Sequence, residues 1–236
     1  MMMKLIRLEW KKNHIGRYIR NAVILALVLC LFMFALAYLG IANDPDTGIP
    51  DAAPGNGTIS SPVELFTSMS FLVFTSVMLS SFIVSAYKDK TMALMFSYPV
   101  KRQKILISQM LSVWIFSFLA LVMTKLLIYG CIFMGSGFMI SSFPLDYSLT
   151  EPEFYVQLIV TSVSTVTMSF IALFIGLAMK SSKATVISSF LLILLTQANI
   201  GDFTMANSVV LPVLLTLISL IFAVLSVVGA EKKDLM

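Results

Sequence analysis

The chain has 236 residues, 58% of them hydrophobic and 12% charged, with sixteen lysines and arginines against twelve aspartates and glutamates. A mean hydropathy of +0.95 lies far outside the range of soluble domains and leaves almost nothing for one. The net charge of +4 is placed in a way that topology alone explains, so no nucleic-acid partner is expected.

Residues 1–20 are basic and amphipathic in part. On a helical wheel Lys4, Arg7, Lys11 and His14 form one stripe, with Leu5, Ile6, Leu8 and Trp10 over the rest. Trp10 suits the membrane interface. Glu9 interrupts the apolar face, so it either pairs with Lys12 or meets a partner. A simple basic topology signal explains the charges but not the apolar residues among them.

Charge-poor runs long enough for about 20 residues of helix each then give six spans, at roughly 21–41, 64–87, 105–133, 155–179, 184–200 and 208–229. In the first, Ala35-Leu36-Ala37 looks like a signal-peptidase site, but the apolar run continues through Ile41 and five more spans follow. The segment is expected to be retained. Residues 43–62 are acidic and rich in Gly and Pro and read as an external loop, with a short glycosylation pattern at Asn56-Gly57-Thr58.

The stretch between the second and third spans, 88–104, is too short to cross a bilayer and too apolar for an ordinary solvated loop. If it is helical from Lys88, then Met92, Met95 and Phe96 share one face while Lys90, Ala93 and Ser97 share another. Pro99 disfavours helix at Tyr98 and ends the element. Lys101, Arg102 and Lys104 open the third span, where cations oppose the helix dipole and need another source of stabilisation. Two readings stay open, an interfacial turn on the headgroups and a docking element for a cytoplasmic subunit.

In the third span Lys125 is the one intramembrane base. It is a functional hypothesis by default, read either as snorkelling outward toward Glu64, Asp146 or Glu151, or as gating or holding an anionic substrate group. The fourth span carries Thr161, Thr165, Ser169, Ala172 and Gly176 at helical spacing, which suits close helix packing or a substrate path. Cys30 and Cys131 fall in different spans, imply no disulfide framework and read as small apolar fillers. Gln197, Asn199 and Asp202 mark the turn between spans five and six.

Fifteen of the sixteen basic residues lie on one side of this arrangement, and the opposite side holds eight acidic ones and no base. Both termini are therefore expected in the cytoplasm. Catalytic, cofactor and metal sites are not expected: there is no phosphate loop, His14 is the sole histidine, and no Gly-x-Ser-x-Gly turn occurs. The chain reads as no enzyme by itself.

Two stretches carry a family resemblance. "MKLIRLEWKKN" ahead of the first span looks like the elbow helix of permeases in the type 2 exporter family of ABC transporters. "MFSYPVKRQKILISQML" is similar to that family's Ser-x-Pro-Ile/Val-x-Arg-x-x-Ile/Leu segment, matched here by Ser97, Tyr98, Pro99, Val100, Arg102, Ile105 and Leu106. The family's acidic pair before the proline is replaced by Lys88-Asp89-Lys90, followed by Met92, Ala93 and Leu94, which makes the contact more apolar and basic. The resemblance implies an all-α membrane fold of six spans behind an interfacial elbow helix, in one permease domain over 1–236. It further implies a bacterial cytoplasmic-membrane location, a second permease copy (the same or a related chain), and two ATPase subunits that hold the ATP and magnesium. ATPase coupling would fall to Glu9 and to residues within 88–104, and small permeases of this kind suggest a lipophilic or amphipathic peptide or drug as cargo. A sodium- or ion-extruding permease of the same family, a nucleotide-independent transporter and a membrane scaffold are the alternatives.

Overall fold

The computed structural model describes residues 8–11, 15–38, 60–84, 102–138, 150–197 and 210–232. Among them every regular element is helical: α1 (Ile15–Tyr38), α2 (Ser60–Leu79) running into a π-helical turn (Ser80–Val84), α3 (Arg102–Phe138), α4 (Pro152–Ala178), α5 (Ser182–Gln197) and α6 (Val210–Lys232). A further short helical stretch covers residues 8–11. Of these, the apolar segments Ile15–Ala37, Ser60–Val84, Lys104–Gly135 and Pro152–Ala178 are long enough to cross a bilayer, and two shorter apolar helices accompany them. The chain is a membrane-embedded helical protein.

The helix boundaries follow from local chemistry. Pro62, Pro152 and Pro212 each sit in the first turn of a helix, where the missing N–H has no intrahelical acceptor to lose. The end of α4 is a Schellman cap. Ser181 N–H donates to Gly176 C=O at 3.1 Å and Lys180 N–H to Leu177 C=O at 3.3 Å, with Lys180 in the left-handed region at φ 48°. A lysine held there costs on the order of 1 kcal/mol relative to glycine. Lys180→Gly is therefore expected to stabilise the protein by roughly 0.5–1 kcal/mol, read as a higher unfolding midpoint in detergent; an unchanged or lower midpoint would contradict it.

The boundaries differ from the sequence expectation in three places. The first long helix starts before residue 21: α1 begins at Ile15, so Arg17 and Arg20 lie in its opening turns. The third helix spans 37 residues, about 55 Å of rise against a hydrocarbon layer of about 30 Å, so it projects beyond the layer or tilts. The π-turn at the end of α2 has no counterpart in the hydropathy pattern, which is blind to hydrogen-bond register. Most of the expected coupling segment, with Lys88, Lys90, Met92, Met95, Phe96, Ser97, Tyr98, Pro99 and Lys101, lies outside the described residues.

Two compact units can be distinguished. The first comprises Met1–Ile15, Met69–Phe118 and Val163–Met236. Its core packs Leu72, Met168, Ala172 and Leu192 against Ile171, Ile193 and Leu215. Phe174 of α4 also meets Phe222 of α6, with ring centroids 5.1 Å apart. The second unit comprises Gly16–Ser68 and Leu119–Ser162. There Phe32 meets Phe66 edge-on at 5.1 Å and Tyr129 meets Phe154 at 4.9 Å, geometries that aromatic quadrupoles favour.

Many hydroxyls are buried in this apolar setting, and most are satisfied within their own helix. Thr67 donates to Val63 C=O, Thr75 to Phe71 C=O, Ser162 to Leu158 C=O and Ser226 to Phe222 C=O, all at 2.9 Å or less. Bonding back to a preceding turn lets Ser and Thr sit in hydrocarbon without an outside partner. The helices also differ in how much they bury. Only 22% of the apolar window of α1 is buried, through a narrow stripe of Ala22, Ala26, Leu29 and Met33, against 67% for α4.

Candidate functional site

In the first unit the N-terminal stretch is fastened to α3. Trp10 Nε1–H donates to Ser112 C=O at 3.3 Å, and Gln109 Nε2–H donates to the Glu9 carboxylate at 3.4 Å. Gln109 and Ser112 are one helical turn apart, so both contacts fall on one face of α3. Glu9 thus meets Gln109, a partner that the sequence reading, with Lys12 or an outside protein in view, did not anticipate. Leu8 and Lys11 beside it are exposed. Arg102 is the first residue of α3, and Lys104 in its opening turn is exposed.

The same stretch of α3 is unusually polar for a membrane helix. Ser108, Gln109, Ser112 and Ser117 are all buried, as is Ser76 on α2. The hydroxyls of these serines and Gln109 Oε1 have no hydrogen-bond partner among the described residues. Phe74 of α2 meets Phe116 of α3 at a centroid distance of 6.5 Å, so α2 packs on α3 along this polar stretch. Trp114 Nε1–H reaches across to Thr167 Oγ1 of α4 at 3.4 Å. At the end of α2, Ser80 in the π-turn donates to Ser182 C=O, the first residue of α5, at 3.1 Å. Single π-turns of this kind gather at functional positions.

The second unit contains a buried ion pair. Lys125 on α3 is completely enclosed; its Nζ lies 2.5 Å from Glu64 Oε2 on α2 and donates to Thr161 Oγ1 on α4 at 3.0 Å. The Thr161 hydroxyl in turn donates to Leu158 C=O at 3.2 Å. Glu64 keeps 27% of its side-chain surface accessible. Of the three acidic partners considered for Lys125, Glu64 takes the contact, Glu151 is exposed and Asp146 lies outside the described residues. The ammonium is not carried out to water; it is sealed among three helices.

Much of the small-residue stripe of α4 is buried. In the first unit Thr165, Ser169 and Ala172 are buried, and Ser169 bonds back to Val166 C=O at 2.6 Å. Gly176 lies directly against Thr185 of α5: a Cβ there would overlap the Thr185 hydroxyl and come within 3.4 Å of its Cα. In the second unit Thr161 departs from the packing role, as a ligand of the Lys125 ammonium.

Sequence reasoning passed over Gln109, Ser112 and Ser76. A polar run within a predicted span was a visible signal, but which face of α3 it occupied was not. No group of three or more His, Cys, Asp or Glu side chains able to hold a metal occurs among the described residues.

No family model matches the chain, and no solved structure matches it. The chain is similar to the uncharacterized protein YcbO of Bacillus subtilis strain 168, at 26% identity over 233 residues, covering 98% of this chain and 100% of that protein. The likeness extends over the whole length of both chains.

Proposed function

We propose that the chain is the membrane-spanning permease subunit of an ATP-driven exporter of the ABC type. In this reading six helices cross the bilayer behind an interfacial elbow, both termini face the cytoplasm of a bacterial cell, and a second permease copy completes the pathway. Two separate ATPase chains supply ATP, magnesium and the power stroke. The proposal draws on the Ser97-Tyr98-Pro99-Val100-x-Arg102 resemblance and on the charge distribution.

The observation that carries it is the clamp of Glu9 and Trp10 on Gln109 and Ser112. The expected docking segment leads directly into α3. Because the N-terminal stretch is bonded to the same helix two turns further on, a displacement delivered at Lys101, Arg102 and Lys104 moves α3 and the elbow as one body. The buried serines at 76, 108, 112 and 117, whose hydroxyls have no partner among the described residues, suit a pathway that hydrates in another conformation. Nucleotide then acts by biasing two membrane conformations. A lipophilic or amphipathic peptide or drug is the cargo class offered, by family likeness alone.

The Lys125–Glu64 pair favours a second reading, an ion-driven transporter or an ion-extruding permease, in which intramembrane charge takes part in transport. Affinity purification from native membranes separates the two. The first reading expects a phosphate-loop ATPase to co-purify, and expects K101E/R102E/K104E to lose it while keeping the wild-type unfolding midpoint. Retention of the ATPase by the triple variant would remove the docking role from these residues. Movement of cargo or ions by the reconstituted chain alone, with no nucleotide and no second protein, would overturn the exporter reading.

A further inference from the structure

The two cysteines, read from sequence as unrelated fillers, are neighbours. Cys30 of α1 and Cys131 of α3 are free thiols, each half-buried, and their side chains lie close to one another. The contact has a second, independent geometric support one turn further along both helices. There Phe34 of α1 lies over Gly135 of α3 so closely that a Cβ on Gly135 would come within 2.7 Å of Phe34 Cε2. Since 30 neighbours 131 and 34 neighbours 135, the two helices run parallel here, with the Phe34 ring seated in the space that Gly135 leaves. A disulfide forms only with Cα atoms about 4.4–6.8 Å apart, so formation of the bond reads that separation directly.

We propose that Cys30 and Cys131 are an oxidisable pair that closes into an intrachain disulfide fastening α1 to α3. The two thiols give up two protons and two electrons and one S–S bond forms. The electrons pass to a lipid-soluble two-electron acceptor such as diamide, whose N=N bond becomes HN–NH. Half-exposed thiols on apolar helices are open to an oxidant of that kind, whereas a charged thiol reagent in water is kept away from them. The staple falls on the long helix least held by its neighbours, since α1 buries the smallest share of its surface. Closing the pair therefore removes freedom that packing leaves to α1. A consequence for transport rests on the permease reading, but formation of the bond does not.

The test uses the purified full-length protein in lipid vesicles, treated with diamide, denatured in SDS and labelled with a maleimide carrying a 5-kDa polymer (about two gel shifts for two thiols). Untreated protein is expected to take two labels, oxidised protein none, and oxidised protein after dithiothreitol two again, always at monomer mass. The oxidised form should also unfold at a higher temperature than the reduced form. Cys131→Ser should take one label before and after diamide. Two labels surviving oxidation, a disulfide-linked species at doubled mass, or loss of the single label in Cys131→Ser would each overturn the proposal. None of these outcomes depends on whether an ATPase partner exists.

Discussion

Glu64→Gln is expected to destabilise the protein more than Lys125→Met, although the two substitutions break the same ion pair. The asymmetry comes from what each leaves behind. With glutamine at 64, a fully enclosed ammonium keeps only neutral acceptors, Thr161 and the new amide oxygen, and no counter-charge. Removing one partner of a buried pair costs roughly 3–5 kcal/mol, most of it the uncompensated charge. Without Lys125, the carboxylate left over is already 27% accessible and lies in the second turn of α2, where it can be hydrated from the helix end. Methionine fills the volume of the lysine stem, so the loss should be about 1–2 kcal/mol. The double variant places two neutral groups in the site and should recover most of the difference, as neutral replacements of buried pairs often do. Equilibrium unfolding in mixed micelles with rising SDS measures all three. Equal single-variant costs, or a double variant as unstable as the sum of the singles, would show that Lys125 is not held chiefly by Glu64.

The same series bears on function. If the pair is purely structural, Lys125→Met keeps cargo movement in proportion to the folded fraction. If it gates, transport falls while the folded fraction is preserved.

Hydropathy made most of the helices legible, and for a physical reason. A long apolar run has no other stable solution than a helix once the backbone must satisfy itself in lipid. The charge of Lys125 was equally visible, because an intramembrane base stands out against its span, and Glu64 was among its foreseeable partners. Register was not visible. Lipid and neighbouring helices are both apolar, so the faces of α1 and α3 that meet at Phe34 and Gly135 look no different in sequence from those that meet lipid. For that reason Cys30 and Cys131, about a hundred residues apart, gave no sign of contact. The π-turn at Ser80–Val84 was hidden for a related reason, since its cause lies in hydrogen-bond geometry and a bond to Ser182 on another helix. The start of α1 at Ile15 reflects a helix that continues past its apolar run into the basic residues Arg17 and Arg20. Long cationic side chains can reach headgroups from inside a helix as well as from before it.

Gly176→Val should be among the most damaging single substitutions in the described residues, and the reason is backbone proximity. The Schellman turn at Lys180 folds α5 back on α4, and Gly176 supplies both the carbonyl that Ser181 N–H binds and the space that Thr185 occupies. A Cβ at 176 overlaps the Thr185 hydroxyl and stands 3.0 Å from Thr185 Cβ and 3.4 Å from its Cα. A rotation of the Thr185 side chain relieves the first contact only. The other two require α4 and α5 to separate, with losses in the adjoining core of Met168, Ala172 and Leu192. Overpacking of this sort typically costs about 1–3 kcal/mol for a small added group, so Gly176→Ala should fall in that range and Gly176→Val beyond it. Thr185→Gly removes the opposing side chain, and in combination with Gly176→Ala it should restore part of the lost stability. Purified yield and SDS-unfolding midpoints of the two single variants and the double give the comparison. An alanine variant as stable as the wild type would mean that the two helices are not in close contact at this turn, and that the α4 stripe is free to serve another purpose.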